Sequence, residues 1–257
     1  MKVIYSDTHA LYRPAGELRD GTITGPVERP ERASRILEAV KDSTDSEIIP
    51  PKDFGTGPIL RVHDSDYVEF LASAWDEFTG AGRSGELVPM VWPVLPVDSA
   101  RGPAHGRRER SPGALEGRLG LYALSADTPI NGGTWKAALT SAYTALTGAK
   151  LLRTEADEGI FALCRPPGHH ADRSHLGGYC FFNNAAVAAQ YLLDGGAGRI
   201  AVLDVDFHHG NGTQSIFYDR RDVLFLSIHG DPDWEFPYFT GYAGETGSGP
   251  GEGFNRN

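Results

Sequence analysis

Cysteine is scarce. Cys164 and Cys180 are the only two in 257 residues, and they form neither a CxxC pair nor part of a metal-ligand quartet. That excludes a disulfide scaffold and a thiolate zinc knuckle, leaving reduced thiols packed among apolar neighbours. Long apolar runs are missing too. No stretch approaches the roughly 20 residues of a membrane span, and residues 1–10 hold Asp7 and His9 where a signal peptide needs an apolar segment. A cytoplasmic protein with no membrane partner is the expectation. Basic patches are few, the largest being Arg107, Arg108 and Arg110, and the formal charge is −10 with a pI near 5.3. Phosphates need a basic face, so nucleic acid is not the expected partner. An acidic body suits a small cationic molecule instead. Internal repeats, an HExxH helix and an EF-hand loop are also absent from the sequence.

What is there reads as one α/β domain over residues 1–257, a length that one core can serve. Val3, Ile4 and Tyr5 form a first strand, and Pro30 opens a helix with Ala33, Ile36, Leu37 and Val40 at helical spacing. A second helix follows Ser65. Its stripe of Tyr67, Phe70, Leu71, Ala74, Trp75 and Phe78 faces inward and leaves Asp66, Glu69, Asp76 and Glu77 outside. Residues 80–117, with prolines at 89, 93, 96, 103 and 112, read as a long irregular insertion. Beyond it the spacing predicts a helix over 134–146, strands over 160–163, 200–205 and 223–228, a helix over 183–193 and a helical turn after Gly210. The Gly-rich stretch 241–257 ends without a closing element. Strand–helix–strand order of this kind predicts a parallel sheet with covering helices.

Ligands in such sheets bind beyond the carboxyl ends of the strands. Two polar clusters sit there: Arg165-Pro166-Pro167-Gly168-His169-His170, and the run from Asp204 through Asp206, His208 and His209 to Gly212. If the strand stays extended, Asp204, Asp206 and His208 point one way while Val205 and Phe207 pack on the other. A carboxylate with an imidazole suits zinc, whose catalytic sites take three protein ligands and keep one position open. The third ligand must come from a distant segment. The plainer alternative has Asp204 and Asp206 capping the next helix and the histidines packing. The tandem His169 and His170 argue against it, because paired imidazoles at a metal site suit base and acid work near neutral pH.

The strings PPGHH (166–170), GGYCFFNN (177–184) and DVDFHHGNGTQ (204–214) resemble the zinc-dependent histone deacetylase superfamily, and within it the bacterial acetylpolyamine amidohydrolases. The resemblance implies an arginase/deacetylase-like three-layer α-β-α fold with a mainly parallel central sheet. It implies hydrolysis of an acetyl amide on a small cationic amine, with zinc, or alternatively ferrous iron, held in part by Asp206 and His208. By the same resemblance Asp204 stands behind His169 and Asn211 behind His170, with His170 as general base and then acid and His169 as its electrostatic partner. A structural potassium ion would take Asp204, the carbonyls of Asp206, His208 and Ile228, and the Ser227 hydroxyl. Glu17 and Glu116 match acidic positions near the cleft of the polyamine enzymes, and Gly178, Tyr179 and Phe236 match the substrate tunnel. Trp234 beside them reads equally as core. The 80–117 insertion matches one that helps form a homodimer.

The family's third zinc ligand, an Asp, and its carbonyl-polarising Tyr belong to segments beyond Asn257. The 257-residue chain is therefore expected to bind zinc weakly and turn over little, and a purified chain of this length with full activity would contradict that. Three alternatives stay open. A lysine deacetylase acting on peptides is disfavoured by Asn211, since histone-directed relatives usually carry Asp there. A binuclear manganese hydrolase needs Asp-x-His-x-Asp, whereas the order here is Asp204-x-Asp206-x-His208. The third is a non-catalytic protein that binds acetylated amines.

Overall fold

The computed structural model describes residues 1–19, 21–43, 45–93, 111–155 and 159–257. Val3 and Ile4 are fully buried in β1 (Lys2–Ile4), which lies between β4 (Glu47–Ile49) and β5 (Ile160–Ala162), parallel to both. A second parallel trio runs β6 (Ile200–Asp204), β7 (Val223–Ser227), β8 (Asn255–Arg256). The short hairpin of β2 (Glu17–Arg19) and β3 (Thr22–Thr24) is antiparallel. The helices are α1 (Pro30–Ser43), α2 (Ser65–Gly80), α3 (Leu115–Leu121), α4 (Thr134–Glu155), α5 (Asn184–Asp194) and α6 (Asn211–Phe217). Among the described residues no helix is long and apolar enough to cross a membrane.

α4 lies against β1, β5 and α5, and α5 lies against β6. The core between them gathers Tyr12, Tyr67, Leu71, Leu146, Phe181 and Phe182, all under 2% exposed. α2 buries Tyr67, Phe70, Leu71, Ala74 and Phe78 of the stripe read from its spacing and half-buries Trp75, with Asp66, Glu69, Asp76 and Glu77 exposed as expected. Asn183 caps α5, its Oδ1 accepting the Ala186 amide at 3.0 Å, while its Nδ2 donates to the Ala171 carbonyl and the Thr213 hydroxyl. One side chain thus ties α5 to the loop after β5 and to α6.

Several expectations need correction. In α1 only Ala33 of the predicted stripe is buried and Ile36 is 41% exposed, so the period gave the helix but not its burial. α4 runs nine residues past 146, packed along β1 and β5. The irregular stretch ends at Leu115, not Gly117, since Leu115 and Leu119 are buried in α3. Residues 94–110 of that insertion, with the Arg107, Arg108 and Arg110 cluster, lie outside the described residues. The Gly-rich tail does close on an element: β8 pairs with β7, and Asn255 is buried. Glu17 opens β2 and does not lie in a loop.

His63 gives the fold a pH dependence. Its Nε2 accepts the Asn183 amide at 3.0 Å inside the core, and burial pulls its pKa from 6.5 to about 4. Between those values the unfolded chain binds more protons, so the contribution is full above pH 6.5 and is lost as pH falls through about 4. The complete loss is on the order of 3 kcal/mol. Urea midpoints measured from pH 7 to 4 should fall for the native sequence and fall less for His63→Gln; equal slopes would reject the assignment.

Candidate active site

The loop after β5 is held from behind. Arg165 is 3% exposed, donates from Nε to Glu28 Oε1 at 2.8 Å, and from Nη1 to the carbonyls of His9 and Tyr12 at 2.6 and 2.9 Å. The Pro166 carbonyl accepts from Ser141 Oγ and Asn184 Nδ2 at 2.7 and 3.1 Å. Gly168 passes where a Cβ would lie 2.6 Å from the Asn184 nitrogen, so no larger residue fits there. Immediately beyond, His169 and His170 project with ring centroids 4.0 Å apart.

Each histidine meets a partner from the second strand trio. His169 Nδ1 lies 2.9 Å from Asp204 Oδ2 at the end of β6, and His170 Nδ1 lies 2.7 Å from Asn211 Oδ1 at the start of α6. With an amide oxygen as acceptor, His170 carries its proton on Nδ1 and leaves the Nε2 lone pair free. Gly178 lies against the other edge of that ring: at φ +54, a Cβ there would meet His170 Cδ2 at 2.2 Å. Phe236 stands edge-on to His170 at 4.8 Å and to His208 at 6.2 Å.

Burial, with repulsion from His169, lowers the His170 pKa to about 3, and the Asn211 bond offsets only part of this. His170 is therefore neutral at physiological pH. Burial pushes the Asp204 carboxyl up, yet the hydrogen bond and charge of His169 and the Asp206 amide outweigh it and hold the group below its usual value.

Asp206 and His208 do converge, but not along an extended strand. β6 stops at Asp204, and the chain bends so that Asp204 Oδ1 accepts the Asp206 amide at 3.1 Å and Asp206 Oδ1 accepts the His208 amide at 2.9 Å. These side-chain-to-backbone bonds replace ladder pairing. Val205 and Phe207, expected to pack on the far side, are 70% and 60% exposed. Asp206 Oδ1 lies 3.6 Å from His208 Nδ1 and 4.0 Å from His169 Nε2. One carboxylate and one imidazole, half exposed and side by side, fit two of the protein donors of a zinc ion. Among the described residues no group of three or more His, Cys, Asp or Glu is placed to hold a metal. Below them Ser227 is buried, its hydroxyl 3.2 Å from His209 Nδ1 and 2.7 Å from His229 Nδ1, and the Ile228 amide donates to the Asp204 carbonyl at 3.0 Å.

Tyr179 donates its hydroxyl to Glu17 at 2.8 Å, so these two predicted residues share one wall. Glu116 differs: it lies exposed on the first turn of α3 with its carboxylate on Arg83. Trp234 is 79% exposed and is not core.

A model of the histone deacetylase domain matches residues 26–257. The chain belongs to the histone deacetylase domain family. Acetylpolyamine amidohydrolase 2 of Pseudomonas aeruginosa is 51% identical over 257 residues, covering all of this chain and 72% of the relative. The acetylpolyamine amidohydrolase of Mycoplana ramosa is 48% identical over 257 residues, with the same shares. A crystal structure of acetylpolyamine aminohydrolase from Burkholderia pseudomallei superposes with a TM-score of 0.90 at 36% identity, covering all of this chain and 71% of that one. The mainly parallel α/β architecture is thus that of the deacetylase fold.

For this deacetylase-family chain, reading residues alone misses Ser125, Asp127 and Thr128. They hold the backbone of the tunnel positions: Gly178 N donates to Asp127 Oδ1 at 3.0 Å and to Ser125 Oγ at 3.1 Å, and Tyr179 N donates to Thr128 Oγ1 at 2.7 Å. The signal was the polar string Ser125-Ala126-Asp127-Thr128 before Pro129, which looks like any helix approach. The geometry around His170 makes a direct prediction. Asn211→Asp puts a carboxylate where a neutral amide sits and should raise the His170 pKa by about one unit or more. An NMR titration of the His170 ring checks it, and an unchanged or lower value would contradict the hydrogen-bond assignment.

Proposed function

We propose that the chain hydrolyses the acetyl amide of a small cationic amine, an acetylated polyamine, with the two histidines as its acid–base machinery. The observation that carries the reading is the His170 Nδ1–Asn211 bond, which leaves a neutral imidazole with its lone pair beside Asp206 and His208. The 51% identity to an acetylpolyamine amidohydrolase along the whole chain supports the substrate class.

In this reading His170 Nε2 takes a proton from the water that attacks the acetyl carbon. It then delivers that proton to the amine nitrogen as the C–N bond breaks, giving acetate and the free amine. His169, hydrogen-bonded to Asp204, is the electrostatic partner of His170. Asp206 and His208 would be two of the donors to a zinc ion, which would supply Lewis acidity toward water and the acetyl oxygen. Asp204, Ser227 and the carbonyls of Asp206, His208 and Ile228 would hold a potassium ion. Gly178, Tyr179 and Phe236 line the path of the methylene chain. Glu17, 6% exposed and bonded to Tyr179, contributes the negative charge that favours ammonium groups. A cytoplasmic homodimer belongs to the same reading, and light scattering that gives a monomer across concentrations would remove the dimer.

The test compares acetylputrescine and acetylspermidine with an acetyl-lysine peptide under zinc loading. Higher kcat/KM for the polyamines is the expected result, and preference for the peptide would overturn it. Zinc titration against a chromophoric chelator tests the donors separately. Asp206→Ala and His208→Ala should each weaken binding at least about tenfold, and affinity equal to the native chain would remove them as ligands.

A further inference from the structure

Phe236 is carried by a segment in which only Pro232 and Pro237 are buried. Trp234 and Phe239 on either side of it are 79% and 90% exposed. Within the segment the hydrogen bonds are local: the amides of Trp234 and Glu235 donate to the Asp231 carbonyl, that of Tyr238 to Glu235, and Tyr242 Oη donates to Asp233 Oδ1 and the Tyr238 carbonyl. Its hydrogen bonds to the body lie at the two ends. At one end Gly230 N donates to the Phe207 carbonyl at 2.8 Å. At the other both backbone groups of Gly241 are taken by side chains. Its amide donates to Glu245 Oε2 at 2.9 Å, and its carbonyl accepts from His229 Nε2 at 2.9 Å. Gly241 has φ +109, and a Cβ there would lie 2.8 Å from His229 Nε2 and 2.9 Å from His209 Cγ, so the backbone is seated directly on the two imidazoles.

The carbonyl acceptor fixes the tautomer. His229 must carry its proton on Nε2, so in the neutral ring Nδ1 accepts from the Ser227 hydroxyl at 2.7 Å, and Ser227 in turn accepts from His209 Nδ1 at 3.2 Å. His209 follows His208 in the chain, and its ring packs on His229 with centroids 4.5 Å apart. A continuous line of contacts therefore leads from the Asp206–His208 bend through His209, Ser227 and His229 to Gly241 and the segment that bears Phe236.

We propose that His229 is a positioning residue that fixes Phe236 against His170 and His208 by anchoring Gly241. It touches no reacting atom. Its effect is on how closely the aromatic wall stands to the histidines, and hence on how well a slender chain is gripped. The kinetic consequence rests on the function proposed above, whereas the structural one does not.

Two substitutions separate this from a purely structural role through Ser227. His229→Gln places an amide where Nε2 was and can still donate to Gly241. His229→Asn places one where Nδ1 was, so it keeps Ser227 and cannot reach Gly241. The structural readout is the NMR position of the His170 ring protons, which the Phe236 ring current displaces, with Phe236→Leu as the reference. His229→Asn should move them toward the Phe236→Leu position, while His229→Gln leaves them near native. In turnover, His229→Asn should raise KM for an acetylated polyamine about tenfold with kcat within about threefold, and His229→Gln should stay within about twofold on both. The reverse order, or equal behaviour of the two variants in the resonance measurement, overturns the proposal. Absence of polyamine turnover in every form bears on the function proposed above and not on His229, whose role the resonances decide.

Discussion

Two side-chain hydrogen bonds join the halves of this molecule. His169 and His170 follow β5, which pairs only with β1, whereas Asp204 and Asn211 flank the bend after β6, which pairs with β7. Backbone ladders among the described residues link neither strand to the other trio. The site is thus assembled where the loop after β5 meets the end of β6 and the start of α6. Its polar groups close the gap that main-chain pairing leaves open. Asn183 and Thr213 reinforce the same junction from the helix side, with Thr213 N donating to the His169 carbonyl at 3.1 Å.

The two bonds look alike and do different electrical work. Asp204 meets one ring with a carboxylate and Asn211 meets the other with a neutral amide, while the rings lie 4.0 Å apart. Burial disfavours charge on His170, which is 4% exposed, and a neutral amide offsets this less than a carboxylate would.

Much of this was legible in the chain. Pro30, the Ser65 helix stripe and the apolar runs ahead of each polar cluster announced the elements correctly because they depend on local period and on turn chemistry. The pairings of His169 with Asp204 and His170 with Asn211 came from resemblance, since nothing in the spacing says which imidazole meets which acceptor. What stayed hidden was set by distant contacts. α4 continues past 146 because the sheet lies beneath it, and Asp204 ends β6 because its carboxylate competes for the next amides. Ser125, Asp127 and Thr128 act through the backbone of Gly178 and Tyr179, which leaves no trace in residue type. Glu116 shows the opposite failure, a matching letter whose charge Arg83 has already met at the surface.

Leu203, Val205, Phe207 and Ile228 are each at least 60% exposed around the ends of β6 and β7. This adhesive strip sits on a body whose formal charge is −10. In dilute buffer the like charges keep copies apart, but at about 0.15 M salt repulsion reaches only some 8 Å. Strongly excluded salts such as sulfate also strengthen apolar contact. The colloidal behaviour of the protein therefore turns on the choice of electrolyte as well as on pH, which removes the charge as it nears the pI of about 5.3.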